Sequence, residues 1–304
     1  MYELIVIGGG PAGISAAVTA LNQRLETLII AEQWGGQTTY KMQLEDGESG
    51  LASHAGGDLS GETLLEAFRR QLDYLDFVHH FDRVVSVTPK EDRFVVETAA
   101  GDRFIGSTVV IATGAKPERL NVPGAQRLAG QGLSHSATTH AGLFLGKDVA
   151  VIGNGRRAQW AAASLARKAH QVYLLAPEPL VTTPLADKLR DMDRLEVVEG
   201  ATVREVLGDR FVSGLVVDMP DGEEREIPVK GIFVKLTRLP NSELVKDWVD
   251  CDSRGHIIVD QYNETNWPGL FAAGDVTIVS EQVLVHVGDG VRAALSAYHH
   301  LLMR

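Results

Sequence analysis

The chain has 304 residues, 44% of them hydrophobic, with a formal net charge of −11; it is long enough for two domains with real cores, and its charge argues against nucleic acid, which needs a basic face. A single cysteine, Cys251, excludes an internal disulfide and any dithiol couple within one chain. No apolar run reaches the roughly eighteen residues of a membrane span, and the amino terminus runs into an apolar strand with no basic, hydrophobic leader, so the expectation is a cytoplasmic protein without membrane contact.

The first element is Leu4 to Ile7, a short apolar run that suits a parallel strand covered on both faces. It leads directly into Gly8, Gly10 and Gly13, at the G-x-G-x-x-G spacing that a dinucleotide pyrophosphate requires. Gly8 permits the tight turn, and Gly10 with Pro11 and Ala12 lets backbone amides approach the phosphates. Gly13 lets a helix from Ile14 to Leu21 pack on the strand with its positive end toward them. A second apolar run, Thr27 to Ala31, ends at Glu32 and Gln33, where the glutamate is placed to take ribose hydroxyls.

Beyond it, Trp34-Gly35-Gly36-Gln37 opens a polar, glycine-rich stretch to about Gly61, read either as a wrapping segment or as an ordinary surface loop. A helix is expected at Glu62 to Tyr74, with Leu64, Leu65, Phe68 and Leu72 on one face. Val84 to Val87, Phe94 to Thr98 and Arg103 to Ile105 read as an antiparallel meander, and Ser107 to Ile111 as a separate strand returning to the parallel sheet before Ala112-Thr113-Gly114-Ala115.

The opening pattern then repeats. Asp148 to Gly155 runs into an alanine-rich helix from Arg156 to about Ala169, with Gly153, Gly155 and Ala158 at G-x-G-x-x-A spacing and Gln171 to Ala176 as the following strand. This strand ends in Ala176-Pro177, with neither the acid nor an arginine pair in the place that reads ribose. Strands follow near Leu195 to Glu199, Phe211 to Met219 and Lys230 to Lys235. Gly269 to Asp275 ends a strand on an aspartate, and Val283 to Leu302 reads as a long helix.

Two glycine-turn folds joined by Ala-Thr-Gly-Ala (112 to 115), with Gly-Gly-Gln at 35 to 37 and Ala-Gly-Asp-Val at 273 to 276, resemble the low-molecular-weight thioredoxin reductase family, which includes the reductase half of alkyl hydroperoxide reductase flavoproteins. The likeness runs over essentially the whole chain. It implies an α/β fold of two Rossmann-like, three-layer dinucleotide-binding domains: an FAD domain (1–117 and 243–304) interrupted by a nicotinamide-nucleotide-type domain (118–242). It also implies a homodimer and no metal. On that resemblance, Gly36 and Gln37 lie along FAD, Thr113 and Gly114 pack near its adenosine side, Val84 meets the adenine by its backbone, and Gly274 and Asp275 serve the ribityl chain. Gln282 and Val283 present amides to the flavin, and Glu281 stands where relatives carry a cation.

The resemblance also exposes departures. Relatives carry Cys-x-x-Cys-Asp before the second glycine turn. Here Ser136 and Thr139 stand at the cysteine places and His140 at the acid's, within Ser134-His135-Ser136-Ala137-Thr138-Thr139-His140. Hydroxyls neither form nor cleave disulfides, so thioredoxin reduction by the family route is excluded. His135 and His140 are candidates for proton transfer near neutral pH, or simply solvated. Cys251, between Asp250 and Asp252, reads as an inert surface thiol.

At the second site Arg156 and Arg157 open the helix, and Trp160 either competes for the nicotinamide place or packs in the core. This predicts nicotinamide binding that is weak, altered or absent. Alternatively Arg156, Arg157, Lys235 and Arg238 grip a phosphate, or dock an acidic redox protein. Three functions remain open: an FAD electron-transfer enzyme with a non-disulfide acceptor, fed by NAD(P)H or by a ferredoxin- or flavodoxin-type protein; a non-catalytic FAD scaffold or redox sensor; and a reductase of an unusual disulfide that uses a partner's cysteines.

Overall fold

A computed structural model describes residues 1–36, 44, 70, 78–277 and 282–304. The helix expected at Glu62 to Tyr74, almost all of the segment 37–61, Gln37 and Glu281 lie outside the described residues.

The chain runs β1 (Tyr2–Ile7), α1 (Pro11–Asn22), β2 (Thr27–Ala31), β3 (His79–Phe81), β4 (Val84–Lys90), β5 (Arg93–Thr98), β6 (Arg103–Ile111), β7 (Ala115–Pro117) and β8 (Leu133–Ser134). It continues with a short turn α2 (Ala137–His140), β9 (Asp148–Ile152), α3 (Arg156–Ala166), β10 (Gln171–Ala176), α4 (Pro184–Arg190), β11 (Leu195–Glu199), β12 (Thr202–Leu207), β13 (Gly214–Asp218) and β14 (Glu224–Pro228). The last elements are β15 (Gly231–Val234), β16 (Arg238–Pro240), β17 (Leu270–Ala272) and α5 (Val283–Leu302).

Two compact units result. The first comprises residues 1–39, 55–116 and 238–304, and the second residues 40–54 and 117–237. The return crossing therefore falls between Thr237 and Arg238, which puts Arg238 in the first unit and leaves Lys235 in the second.

In the first unit the sheet order is β3-β2-β1-β6-β5-β4, with β17 also pairing with β6. Alternate residues of β1 serve different layers, as the period of two in a strand requires. Leu4 and Val6 join a cluster with Ile14 and Val18 of α1 and Ala293, Ala294 and Ala297 of α5. Ile5 and Ile7 join Val87, Phe94, Val96, Val245 and Val249 on the other face. Each such side chain contributes about 1.5–3 kcal/mol by leaving water, so a strand buried on both faces anchors the whole unit.

The sequence reading divides β6 at Gly106, and the structure does not. One continuous strand pairs antiparallel with β5 through Gly106 (Phe94↔Gly106) and parallel with β1 from the same residue (Tyr2↔Gly106 to Ile7↔Ile111). A Cβ at Gly106 would press on Ile5 Cγ1 at 2.9 Å. The missing side chain that resembled a break is what lets β1 approach.

The second unit repeats the plan in the order β11-β10-β9-β15-β8, with an antiparallel meander β12-β13-β14. Val149 and Val151 face α3 and α4, while Ala150 and Ile152 face the meander.

Candidate functional site

In the first unit the glycine turn is built for close approach. Gly8 has φ +121°, and a Cβ there would collide with the Ala112 carbonyl; one at Gly13 would collide with the carbonyl of Gly8. At Gly10 a Cβ would meet nothing within 4 Å. The middle of the turn is thus open space, bordered by the first turn of α1, whose Pro11 lies at the first helical position and needs no hydrogen-bond acceptor for its nitrogen. The sequence reading passed over Gly9. Its place is fixed because a Cβ there would strike the Gln33 carbonyl, and its own carbonyl accepts the Gly35 amide at 2.7 Å. Gly36, with φ +53°, then closes over the turn, its hypothetical Cβ 3.2 Å from Gly10 Cα. Glu32 and Gln33 are exposed at the end of β2, and the Glu32 carboxylate lies 3.9 Å from Arg83. Val84, expected to meet the adenine by its backbone, is buried at the start of β4.

Thr113 and Gly114 are held by a residue that sequence reasoning missed, Asn241. The Thr113 hydroxyl donates to the Asn241 carbonyl at 2.6 Å, the Asn241 side-chain amide donates to the Thr113 carbonyl at 2.8 Å, and its backbone amide donates to the Gly114 carbonyl at 2.9 Å.

Asp275 sits in a single 3-10 turn, 274–276, entered at Gly274 with φ +77°. An arginine and a histidine side chain converge on one of its oxygens: Arg238 Nη1 donates to Oδ1 at 2.8 Å, and His286 Nε2 lies 3.2 Å from the same atom. Burial opposes ionisation of Asp275, but the His286 hydrogen bond and the Arg238 charge outweigh it and hold the carboxyl below the ordinary carboxylate range. One turn further along α5, buried Asp289 accepts the Gly274 amide, and burial pushes its own pKa up. Gln282 is the N-cap of α5, with Val283 its first residue, and the Gln282 side chain makes no capping hydrogen bond.

The second turn has the same anatomy. Gly153 (φ +140°) lies against the Lys235 carbonyl, and a Cβ on Gly155 would meet nothing within 4 Å. Arg156 is exposed at the start of α3, and Arg157 donates to the Leu236 carbonyl at 3.2 Å.

The four cations expected to form one basic patch, Arg156, Arg157, Lys235 and Arg238, are not all exposed. Lys235 is 7% exposed, its Nζ donating to the His135 carbonyl at 2.7 Å, and Arg238 belongs to the first unit, paired with Asp275. Trp160 is 63% exposed, so it is not a core residue of α3.

In the segment that bears hydroxyls at the cysteine places, Ser134 is the organising residue. Its Oγ accepts the Ser136 amide at 2.9 Å and lies 2.8 Å from His140 Nδ1. Ser136 Oγ lies 3.4 Å from the Thr138 hydroxyl, and the Thr139 side chain lies outside the described residues. His140 is 6% exposed, and burial, aided by the Lys235 charge, lowers its pKa to about 4. At neutral pH it is therefore a packed, uncharged imidazole. His135 contributes its carbonyl to Lys235. Cys251 is partly buried, with its pKa raised by burial and by the flanking Asp252 and Asp250.

Among the described residues, His80, Asp82 and Asp102 bring potential ligand atoms within 4.8 Å of one another. Asp82 already accepts the amides of Arg83 and Ala100, and His80 pairs with Asp102 at 3.3 Å, so the group closes a turn. No helix among the described residues is long and apolar enough to cross a membrane.

Residues 2–297 match the family model for pyridine nucleotide-disulphide oxidoreductases. The chain is 35% identical to an NADH dehydrogenase of Bacillus subtilis (strain 168), over 99% of this chain and 59% of that protein. It is 36% identical to the F component of alkyl hydroperoxide reductase in Pseudomonas putida, over 99% and 58%. It thus spans less than two-thirds of the length of these relatives. Among solved structures, thioredoxin reductase from Streptococcus pyogenes MGAS5005 is similar with a TM-score of 0.85 at 28% identity, over 100% of this chain and 99% of that one. A ferredoxin-flavin thioredoxin reductase from Clostridium acetobutylicum is similar with a TM-score of 0.51 at 26% identity, over 99% and 98%.

Proposed function

The chain belongs to the pyridine nucleotide-disulphide oxidoreductase family, whose members bind FAD and use NAD(P)H, and on that premise we propose that it is an electron-transfer flavoenzyme whose acceptor is not a disulfide. The observation that carries this reading is the segment around Ser134: serine and threonine hydroxyls replace the dithiol, and Cys251 is the chain's single thiol. A one-electron protein carrier of the ferredoxin or flavodoxin type fits this chemistry, as donor or acceptor, because such a carrier exchanges electrons without a covalent thiol step.

The first unit is the FAD domain in this reading, and its residues fit the group. Open space over Gly10, amides at the start of α1, Glu32 at the end of β2 and the carboxylate of Asp275 are the donors and acceptors that a dinucleotide with a polyhydroxyl chain needs. Bound FAD supplies a ring that takes up two electrons and returns them singly or together. The protein's part is to hold the pyrophosphate on the Gly8–Gly13 turn, fix Asp275 through Arg238 and His286, and present the α5 amides to the ring. The second unit is the nicotinamide-nucleotide domain, supported by the open turn at Gly155. The enzyme works as a homodimer.

Anaerobic mixing of the FAD-loaded protein with NADH or NADPH tests the reading. Rapid bleaching of the visible flavin band, followed by reoxidation on adding a ferredoxin or flavodoxin and not on adding oxidised thioredoxin, is the expected result. Efficient reoxidation by thioredoxin overturns it.

A further inference from the structure

The two units are internal repeats, and the hydrogen bonds that tie each glycine turn to its neighbouring strand allow them to be compared residue by residue. In the first unit the Gly8 amide donates to the Ile30 carbonyl at 2.8 Å, and the Gly35 amide donates to the Gly9 carbonyl at 2.7 Å. In the second unit the Gly153 amide donates to the Leu175 carbonyl at 3.0 Å, and the Val181 amide donates to the Asn154 carbonyl at 3.0 Å. Between these anchors the first unit has residues 31–34, and the second has residues 176–180, one residue more.

Counted forward from the first anchor, the partner of Glu32 is Pro177, which is why the acid looks absent from the sequence. Counted back from the second anchor, the partner is Glu178. The side chains favour the second count. Asn154, in the glycine turn, directs its amide nitrogen toward Glu178 Oε2 at 3.5 Å and the Pro179 carbonyl at 3.4 Å. Gln159 on α3 is fully buried and donates to the Val181 carbonyl at 2.7 Å, while its own oxygen receives the Thr183 hydroxyl. The segment after β10 is therefore strapped to the turn, and Glu178 stands exposed at its rim.

We propose that Glu178 reads the adenosine ribose of the second nucleotide and makes the site selective for NADH over NADPH. A carboxylate there accepts from the free 2′- and 3′-hydroxyls and repels a 2′-phosphate. One candidate phosphate-binding cation after this segment, Arg190, is already engaged. Arg190 donates to both oxygens of Glu199 at 3.0 and 3.1 Å and lies 3.5 Å from Asp187, while Glu199 also accepts the Leu180 amide. Arg156, at the start of α3, serves the pyrophosphate that both nucleotides share.

The inference rests on the nicotinamide-nucleotide reading of the second unit. Calorimetric titration of the FAD-loaded protein with ADP-ribose and with 2′-phospho-ADP-ribose tests it without any turnover. The expected result is at least about tenfold tighter binding of ADP-ribose, falling to within about threefold in Glu178→Ala and reversing in Glu178→Arg. Glu178 is exposed, so these variants keep the fold, as circular dichroism will show. Gly155→Val abolishes binding of both probes and so locates the site. Equal affinity of the two probes for the unmodified protein, or an unchanged ratio in Glu178→Ala, overturns the role of Glu178 alone. No binding of either probe overturns the nucleotide-domain reading along with it.

Discussion

Arg238 Nη1 and Asp275 Oδ1 lie 2.8 Å apart, with side chains only 13% and 16% exposed, and His286 Nε2 reaches the same oxygen. Removing one partner of a pair this buried leaves an uncompensated charge. Arg238→Met is expected to lower stability by about 3 kcal/mol, and Arg238→Met with Asp275→Asn by less, in denaturant titrations of the FAD-free protein. The pH sign follows from the lowered pKa of Asp275. Its contribution is fully present above the unfolded carboxyl value of about 4 and is lost as pH falls through the lower folded value. The double variant lacks that part of the acid limb.

The glycines of the first turn separate folding from binding. Gly8→Ala places a methyl group against the Ala112 carbonyl at a positive φ, and should destabilise the protein by several kcal/mol. Gly10→Ala meets open space, so its melting temperature without FAD should stay near that of the parent while FAD affinity falls at least about tenfold. Equal effects of the two variants on apoprotein stability would refute this division of roles.

His140 makes stability depend on mildly acidic pH. Its pKa is lowered from the ordinary 6.5 to about 4, so the unfolded chain binds the proton first. Its contribution is fully present above pH 6.5 and is lost as pH falls toward 4, by up to about 3 kcal/mol. His140→Gln should flatten the stability profile between these limits in chemical denaturation at stepped pH.

Thioredoxin disulfide should not be reduced by the protein, with NADH or with an artificial electron donor. Cys251 is a poor nucleophile because burial and two aspartates raise its pKa, so Cys251→Ser should leave flavin reduction unchanged. Ser136→Cys with Thr139→Cys restores the paired thiols at the expected positions, and the appearance of thioredoxin reduction in that variant alone is the outcome to look for.

The scaffold of both nucleotide sites was legible because it rests on local rules: an apolar strand, glycines at fixed spacing, a helix and a second strand. The α5 helix and the meander were readable for the same reason. What escaped depends on contacts made across the chain. Gly9 is required by the carbonyl of Gln33, which spacing alone does not reveal. Arg238 and Lys235 are three residues apart and read as one basic patch, yet they enter different units, where one meets Asp275 and the other the His135 carbonyl. Glu178 was hidden by one extra residue, visible only once both hydrogen-bond anchors are known. Ser134 was overshadowed by its neighbours at the cysteine places, although it is the residue that orders that segment.

The seam between α1 and α5 governs the order in which the protein can be built. Ser15 Oγ donates to the Val287 carbonyl at 2.9 Å, and Gly290 lies so close to the Ala12 carbonyl that it has no room for a side chain. Helix α1 therefore waits for α5, which is synthesised after residues 117–237 of the second unit, to cover its face. Every residue of the second unit has been synthesised before Arg238 emerges, so that unit can complete its core on the ribosome. The first unit cannot, because Asp275, His286 and the alanine face of α5 follow the second unit in the sequence. Flavin capture thus follows synthesis of the second unit, and until α5 docks, the face of α1 that receives it is the surface that chaperones must guard.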